Sequence, residues 1–111
     1  MAKKPHSNGL TPAETEALEI LTEECSEVIK SAMKMLRHGK QPVDNSVEPP
    51  VAYDNKADLL GEIQDVLASI YICRHVGLVE TVGIINDRAL RERLRRRLPY
   101  LHHIDTTGLL D

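Results

Sequence analysis

Tryptophan and phenylalanine are absent from this chain, and tyrosine occurs three times in 111 residues. The apolar content of 41% is therefore aliphatic, which suits packed helices better than a sandwich of aromatic-rich strands. Cysteine is scarce as well. Cys25 and Cys73 both fall in apolar-periodic segments and are expected as two buried thiols in a reducing compartment, not as a disulfide. No stretch approaches the roughly 18 apolar residues of a membrane span, and the start MAKKPHSNGL lacks the apolar run of a signal peptide. A strong excess of one charge is also missing. The net charge is −3, so the whole-molecule field does not argue for nucleic acid as a partner. The expectation is one compact domain of a soluble, cytoplasmic protein without a membrane partner.

What is present is helical periodicity. Residues 1–10 are polar and read as a flexible arm. Thr11 then offers a cap, Pro12 suits the first helical position, and Glu14 completes a capping-box spacing. Apolar residues recur at 18, 21, 25, 28, 32 and 35 or 36, steps of three and four that predict one helix over 12–38. Arg37 and His38 suit its negative end, and Gly39 its left-handed stop. The stretch 40–54 has three prolines and no periodicity, and is expected as a mobile loop without a strand. A second helix is predicted over 55–76 with Leu59, Ile63, Val66, Ile70 and Cys73 as its seam and Gly77 as its stop. A third segment, 80–101, places Ile84, Ile85, Ala89, Leu94 and Leu98 on a looser stripe ended by Pro99. Residues 102–111 form a short tail whose adjacent His102 and His103 read as incidental. Two long apolar seams on so small a chain call for burial against a second copy.

The acids do not follow the habit of a solvated helix face. In LTEECSEVIKSAM, residues 21–33, Glu23, Glu24 and Glu27 precede any cation. Positions 24 and 27 lie about 60° apart around a helix, so these carboxylates are neighbours one turn apart. Glu62 and Asp65 repeat the three-residue spacing on the second helix. Both pairs stand about 40° from their apolar seam, so antiparallel packing would bring four carboxylates together at the edge of the core. Unpaired carboxylates held that close repel one another. Mg²⁺ or Mn²⁺, which takes several oxygen ligands, removes the conflict. The lack of His or Cys at matched spacing speaks against Zn²⁺.

Glu-Glu-x-x-Glu at 23–27 followed by Glu-x-x-Asp at 62–65 resembles the all-α nucleoside triphosphate pyrophosphohydrolases of the MazG-like superfamily. LTEECSEVIKSAMKMLRHG and LLGEIQDVLASIYICRHVGLV resemble the two motif helices of small, phage-type members, and RLRRRLPYL is similar to the basic segment that follows them. The likeness covers residues 14–101 and marks 11–101 as the domain. It implies a MazG-like helical bundle completed by homodimerisation or homotetramerisation, in a host cytoplasm if the chain is phage-encoded. It also implies Mg²⁺-dependent cleavage of a (d)NTP to (d)NMP and pyrophosphate. A site of this kind uses about two or three Mg²⁺ ions, with Mn²⁺ as a substitute. By residue, Glu24, Glu27, Glu62 and Asp65 match the metal ligands. Glu23 matches a further ligand or a residue that orients water, and Asn86 an asparagine near the phosphates. A purine substrate such as dGTP rests on this likeness alone, and the missing Trp and Phe leave the base-binding wall unassigned.

The chemistry is consistent with that expectation. A triphosphate needs its charge neutralised, a water activated and its phosphates positioned, but no covalent nucleophile. Lys30, Lys34, Arg88 and the arginines from Arg91 to Arg97 are the candidate phosphate-binding cations. Two rival readings use other features. RALRERLRRRL could bind DNA as a small regulatory helix, or the chain could be a structural dimerisation module. The DNA-binding reading leaves the paired acids unexplained, and the structural module would tolerate mutation of Glu24 or Glu62.

Overall fold

The computed structural model describes residues 7–80 and 86–110, and the chain divides into two compact units, Met1–Leu78 and Val79–Asp111. Residues 1–6 of the expected arm, and Ile84 and Ile85 of the expected third stripe, lie outside the described residues. Among the described residues there are three α-helices, a single 3₁₀ turn and one ladder of two-residue strands. The all-α expectation holds in this form.

Helix α1 spans Pro12–His38, and its start is set by the capping box that the sequence proposes. The Glu14 amide donates to Thr11 Oγ1 at 3.1 Å, and the Thr11 amide donates to Glu14 Oε1 at 2.8 Å. Pro12 has no N–H, so two of the three orphan donors of this helix N-terminus are thereby satisfied. At the other end Gly39 takes φ 82°, a conformation that a residue with Cβ adopts at a cost. Helix α2 spans Asn55–His75. Asp54 caps it by accepting from the Ala57 amide at 3.0 Å. Its last turn closes in the Schellman pattern around Gly77 at φ 84°, with Leu78 N–H donating to Cys73 O and Gly77 N–H to Arg74 O.

The two long helices pack antiparallel. Near the start of α1 the Cys73 thiol, at the end of α2, lies 3.8 Å from the Ala17 carbonyl. Near its end Asn55 Nδ2 donates to the Gly39 carbonyl, and the Asn55 amide to that of Lys40, both at 2.9 Å. The contact face between them is built from small residues. Ala17, Ser31, Asn55, Ser69 and Cys73 are the buried positions among the described residues. Small side chains let the two backbones approach closely, and close approach sets which positions face inward.

The expected seam holds only in part. On α1, Leu18, Leu21, Val28, Ala32 and Met35 are half-buried, whereas Cys25 is exposed and Leu36, the alternative to Met35, is 79% exposed. Ile63 of the α2 seam is also exposed, whereas Cys73 is buried as expected. The large aliphatics form separate outward stripes. Ile29, Met33 and Leu36 lie on α1, and Leu60, Ile63, Leu67 and Tyr71 on α2, at steps of three and four.

The expectation of a strandless loop at 40–54 needs correction. Val43–Asp44 (β1) pairs antiparallel with Val51–Ala52 (β2), with Val43 opposite Ala52 and Asp44 opposite Val51. The ladder is extended by the Tyr53 amide, which donates to Pro42 O at 2.9 Å. Two residues per strand are too few for alternation to be visible in the sequence.

In the second unit α3 spans Asp87–Arg97, capped by Asn86, whose Oδ1 accepts from the Ala89 amide at 3.0 Å. A 3₁₀ turn, Leu98–Tyr100, carries Pro99 and ends the segment. Among the described residues no helix is long and apolar enough to cross a membrane.

Candidate metal centre between the two long helices

Buried positions stand fourteen residues apart on both α1 and α2, and an acid occupies the middle of each interval. On α1, Glu24 lies midway between Ala17 and Ser31. On α2, Glu62 lies midway between Asn55 and Ser69. All four flanking residues are buried, and both glutamates are half-buried. A seven-residue step rotates a helix by only about 20° from two full turns, so each glutamate shares the stripe that faces the other helix. The sequence places the acids at the edge of the core. In the fold, Glu24 and Glu62 point along the contact face itself.

Antiparallel packing brings three of them together. Glu24, Glu62 and Asp65 each offer a carboxylate oxygen, and these oxygens all lie within 4.8 Å of one another. Glu24 and Glu62 are half-buried, and Asp65 is exposed. Glu24 is the electrostatic centre of the group. Its carboxyl is pushed above the ordinary 4.5, first by partial desolvation and then by the charges of Asp65, Glu23, Glu62 and Glu27. All five acids singled out from the sequence therefore act on one proton equilibrium. A raised folded-state pKa means that ionising Glu24 costs the folded state more than the unfolded chain. That cost is absent below the ordinary carboxylate range and grows as pH rises through the raised one.

Glu27 stands at the rim. It lines a cleft of about 410 Å³ together with Lys30, Ser31, Lys34, Ala57, Asp58, Gly61, Glu62 and Asp65. Lys30 Nζ lies 3.2 Å from Glu27 Oε1, and Lys34 Nζ lies 3.8 Å from Asp58 Oδ2. Both pairs are exposed, so each contributes little to stability. Their effect is to place two ammonium groups beside the carboxylates. Glu23 lines a different cavity, with Leu10, Thr15, Leu18, Glu19 and Thr22, and reaches the cluster through its charge. Asp58 is a cleft residue that the sequence reading passes over. Its spacing would have found it, because it stands one turn before Glu62 and two before Asp65.

Two serine hydroxyls of these helices are committed to backbone. Ser26 Oγ donates to Glu23 O at 2.6 Å and Ser69 Oγ to Val66 O at 2.7 Å, an arrangement that offers no activated nucleophile.

In the second unit, Asn86 and Arg88 line a cavity with Ala89, Glu92 and Arg95, and Asn86 Oδ1 accepts the capping bond of α3. Leu90, Arg93, Leu94, Arg96, Arg97 and Tyr100 surround another cavity of that unit. The leucines lie on one side of α3 and arginines flank them, an amphipathic basic pattern.

A scan against protein-family models, a search of curated proteins and a search of solved structures each give no match to this chain.

Proposed function

We propose that the cleft between α1 and α2 hydrolyses nucleoside triphosphates to nucleoside monophosphates and pyrophosphate with the help of Mg²⁺, in the manner of the MazG-like enzymes. The observation that carries this reading is the convergence of the Glu24, Glu62 and Asp65 oxygens within 4.8 Å, with the Glu24 carboxyl raised by partial desolvation and by neighbouring like charge. Oxygen donors of this hardness fit Mg²⁺ or Mn²⁺, and no softer histidine or thiol ligand stands in the triad. When bound there, the cation supplies charge neutralisation and a lowered pKa for its water.

The residues of the chain do the rest. Glu24, Glu62 and Asp65 hold the cation, and Glu27 adds a fourth carboxylate on the same cleft for a further ion. Lys30 and Lys34 meet phosphate oxygens and orient the chain of phosphates along the cleft. Glu23 strengthens the negative field at Glu24. Half-burial of Glu24 and Glu62 along the contact of the two helices limits their freedom before substrate arrives, which reduces the reorganisation needed during the reaction. The outward apolar stripes of α1 and α2 are covered in a homodimer or a tetramer built from dimers, because uncovered stripes of this kind are rare on monomers.

The test is product analysis. The purified chain is incubated with each ordinary NTP and dNTP in Mg²⁺, and the phosphates are resolved. Monophosphate and pyrophosphate in equal amounts, lost on chelation, are expected. Diphosphate with inorganic phosphate, or no turnover of any nucleotide, would contradict the proposal.

A further inference from the structure

A second cavity opens beside the acidic cleft and shares one residue with it. It measures about 480 Å³ and is lined by Lys34, His38, Pro42, Val43, Asp44 and Tyr53. Its walls come from the last turns of α1 and from the β1–β2 hairpin, both in the first unit. Lys34 lines both cavities, so the two are adjacent along α1. From Glu27 to Lys34 the helix rises by about 10 Å. A molecule that fills both must present phosphates at one end and something flatter and less charged at the other.

Tyr53 is the aromatic ring at this place. It is 43% exposed, and Lys34 Nζ stands 5.7 Å from its ring centroid, within cation–π range. Pro42 and Val43 add apolar surface. Asp44 adds an acceptor whose ionised form is stabilised, since Ser46 donates to it through both hydroxyl and amide and holds its carboxyl below the ordinary 3.8. A ring to stack on, an apolar side wall and a fixed carboxylate make a site for a planar heterocycle with N–H donors on its edge. Guanine offers two such donors side by side and is the base this acceptor suits best.

We infer that the hairpin cavity is the nucleobase subsite of the acidic cleft, with Tyr53 stacking on the base and Asp44 accepting from its edge. The inference rests on the proposed triphosphate hydrolysis. It also supplies the base-binding wall that a chain without Trp or Phe otherwise lacks. The hairpin is held in place at its base, where the Tyr53 amide donates to Pro42 O and closes its two ends on each other, and Asn55 at the start of α2 donates to Gly39 O at the end of α1.

The experiment measures steady-state hydrolysis of dGTP, dATP, dCTP and dTTP, and inhibition by inorganic tripolyphosphate, which has no base. The chains compared are the parent, Tyr53→Ala, Tyr53→Phe and Asp44→Asn, each first checked for an unchanged melting temperature. Tyr53→Ala is expected to raise KM for the preferred nucleotide about tenfold, with a much smaller effect on kcat. Tyr53→Phe should restore the parent KM, and tripolyphosphate should inhibit all four chains equally. Asp44→Asn should lower kcat/KM for dGTP relative to the other three nucleotides. Equal KM values for the parent and Tyr53→Ala would overturn the subsite while leaving the hydrolytic reading intact. A parent that cleaves none of the four overturns both, and that case is marked by the parent alone.

Discussion

Alanine at Glu62 or Asp65 is expected to reduce pyrophosphate release by roughly a hundredfold or more, the scale set by loss of a cation that neutralises transition-state charge. Stability should move the other way. Glu62 and Asp65 both raise the Glu24 carboxyl by like charge, so removing either lets Glu24 ionise at lower cost in the folded state. Without metal, the Glu62→Ala chain should melt at or above the parent temperature at neutral pH. The difference should close as pH falls below the ordinary carboxylate range, where Glu24 is protonated in both folded and unfolded chains. With Mg²⁺ added, the parent should gain thermal stability and the variant should gain little. Thermal melts with and without Mg²⁺, run beside a pyrophosphate assay, check all of this. If Glu62 served only a structural ion pair, the variant would instead lose stability and respond to Mg²⁺ as the parent does.

The second large effect concerns assembly. Leu36 is 79% exposed, Ile29 63% and Leu60 57%, and each belongs to an outward stripe at helical spacing. Placing a carboxylate in such a stripe, by Leu36→Glu or Leu67→Glu, buries an unpaired charge wherever a second copy covers it. Dissociation constants should then rise by roughly a hundredfold or more. The parent is expected to sediment as a dimer or tetramer at micromolar concentration, and the variants as monomers. A monomeric parent, or variants that keep the parent mass, would show that the stripes are not the contact.

The helices were legible because their ends carry local chemistry. Thr11, Pro12 and Glu14 announce the start of α1, and Gly39 and Gly77 the two stops, without any knowledge of packing. The equal spacing at 24, 27, 62 and 65 made the meeting of Glu24, Glu62 and Asp65 legible, although Glu27 stands at the rim and not in the triad. Two things were not. The apolar spacing places Cys25 and Ile63 in the seam although both are exposed, and it passes over Ala17, Ser31, Asn55 and Ser69, which are buried. A contact made of small and polar side chains gives almost no hydropathy signal, and outward aliphatics give a strong one. The seven-residue steps that carry Glu24 and Glu62 through the middle of this contact are visible once the small residues are counted as packing residues. The hairpin at 43–52 was hidden for a different reason. Its pairing is specified by backbone bonds at Pro42, Tyr53 and Asn55, and not by side-chain alternation, so the Tyr53 cavity had no trace in the sequence.

Direct cation binding tests the central claim most directly. Mn²⁺, a paramagnetic ion of the same ligand preference, is titrated into the parent and into the Glu62→Ala chain at neutral pH, and free Mn²⁺ is read from its electron paramagnetic resonance signal. The parent should remove Mn²⁺ from solution saturably, Mg²⁺ should compete for the same sites, and the Glu62→Ala chain should lose that binding. A parent that leaves the Mn²⁺ signal unchanged, or a variant that binds as well as the parent, would contradict the assignment of Glu24, Glu62 and Asp65 as a metal centre.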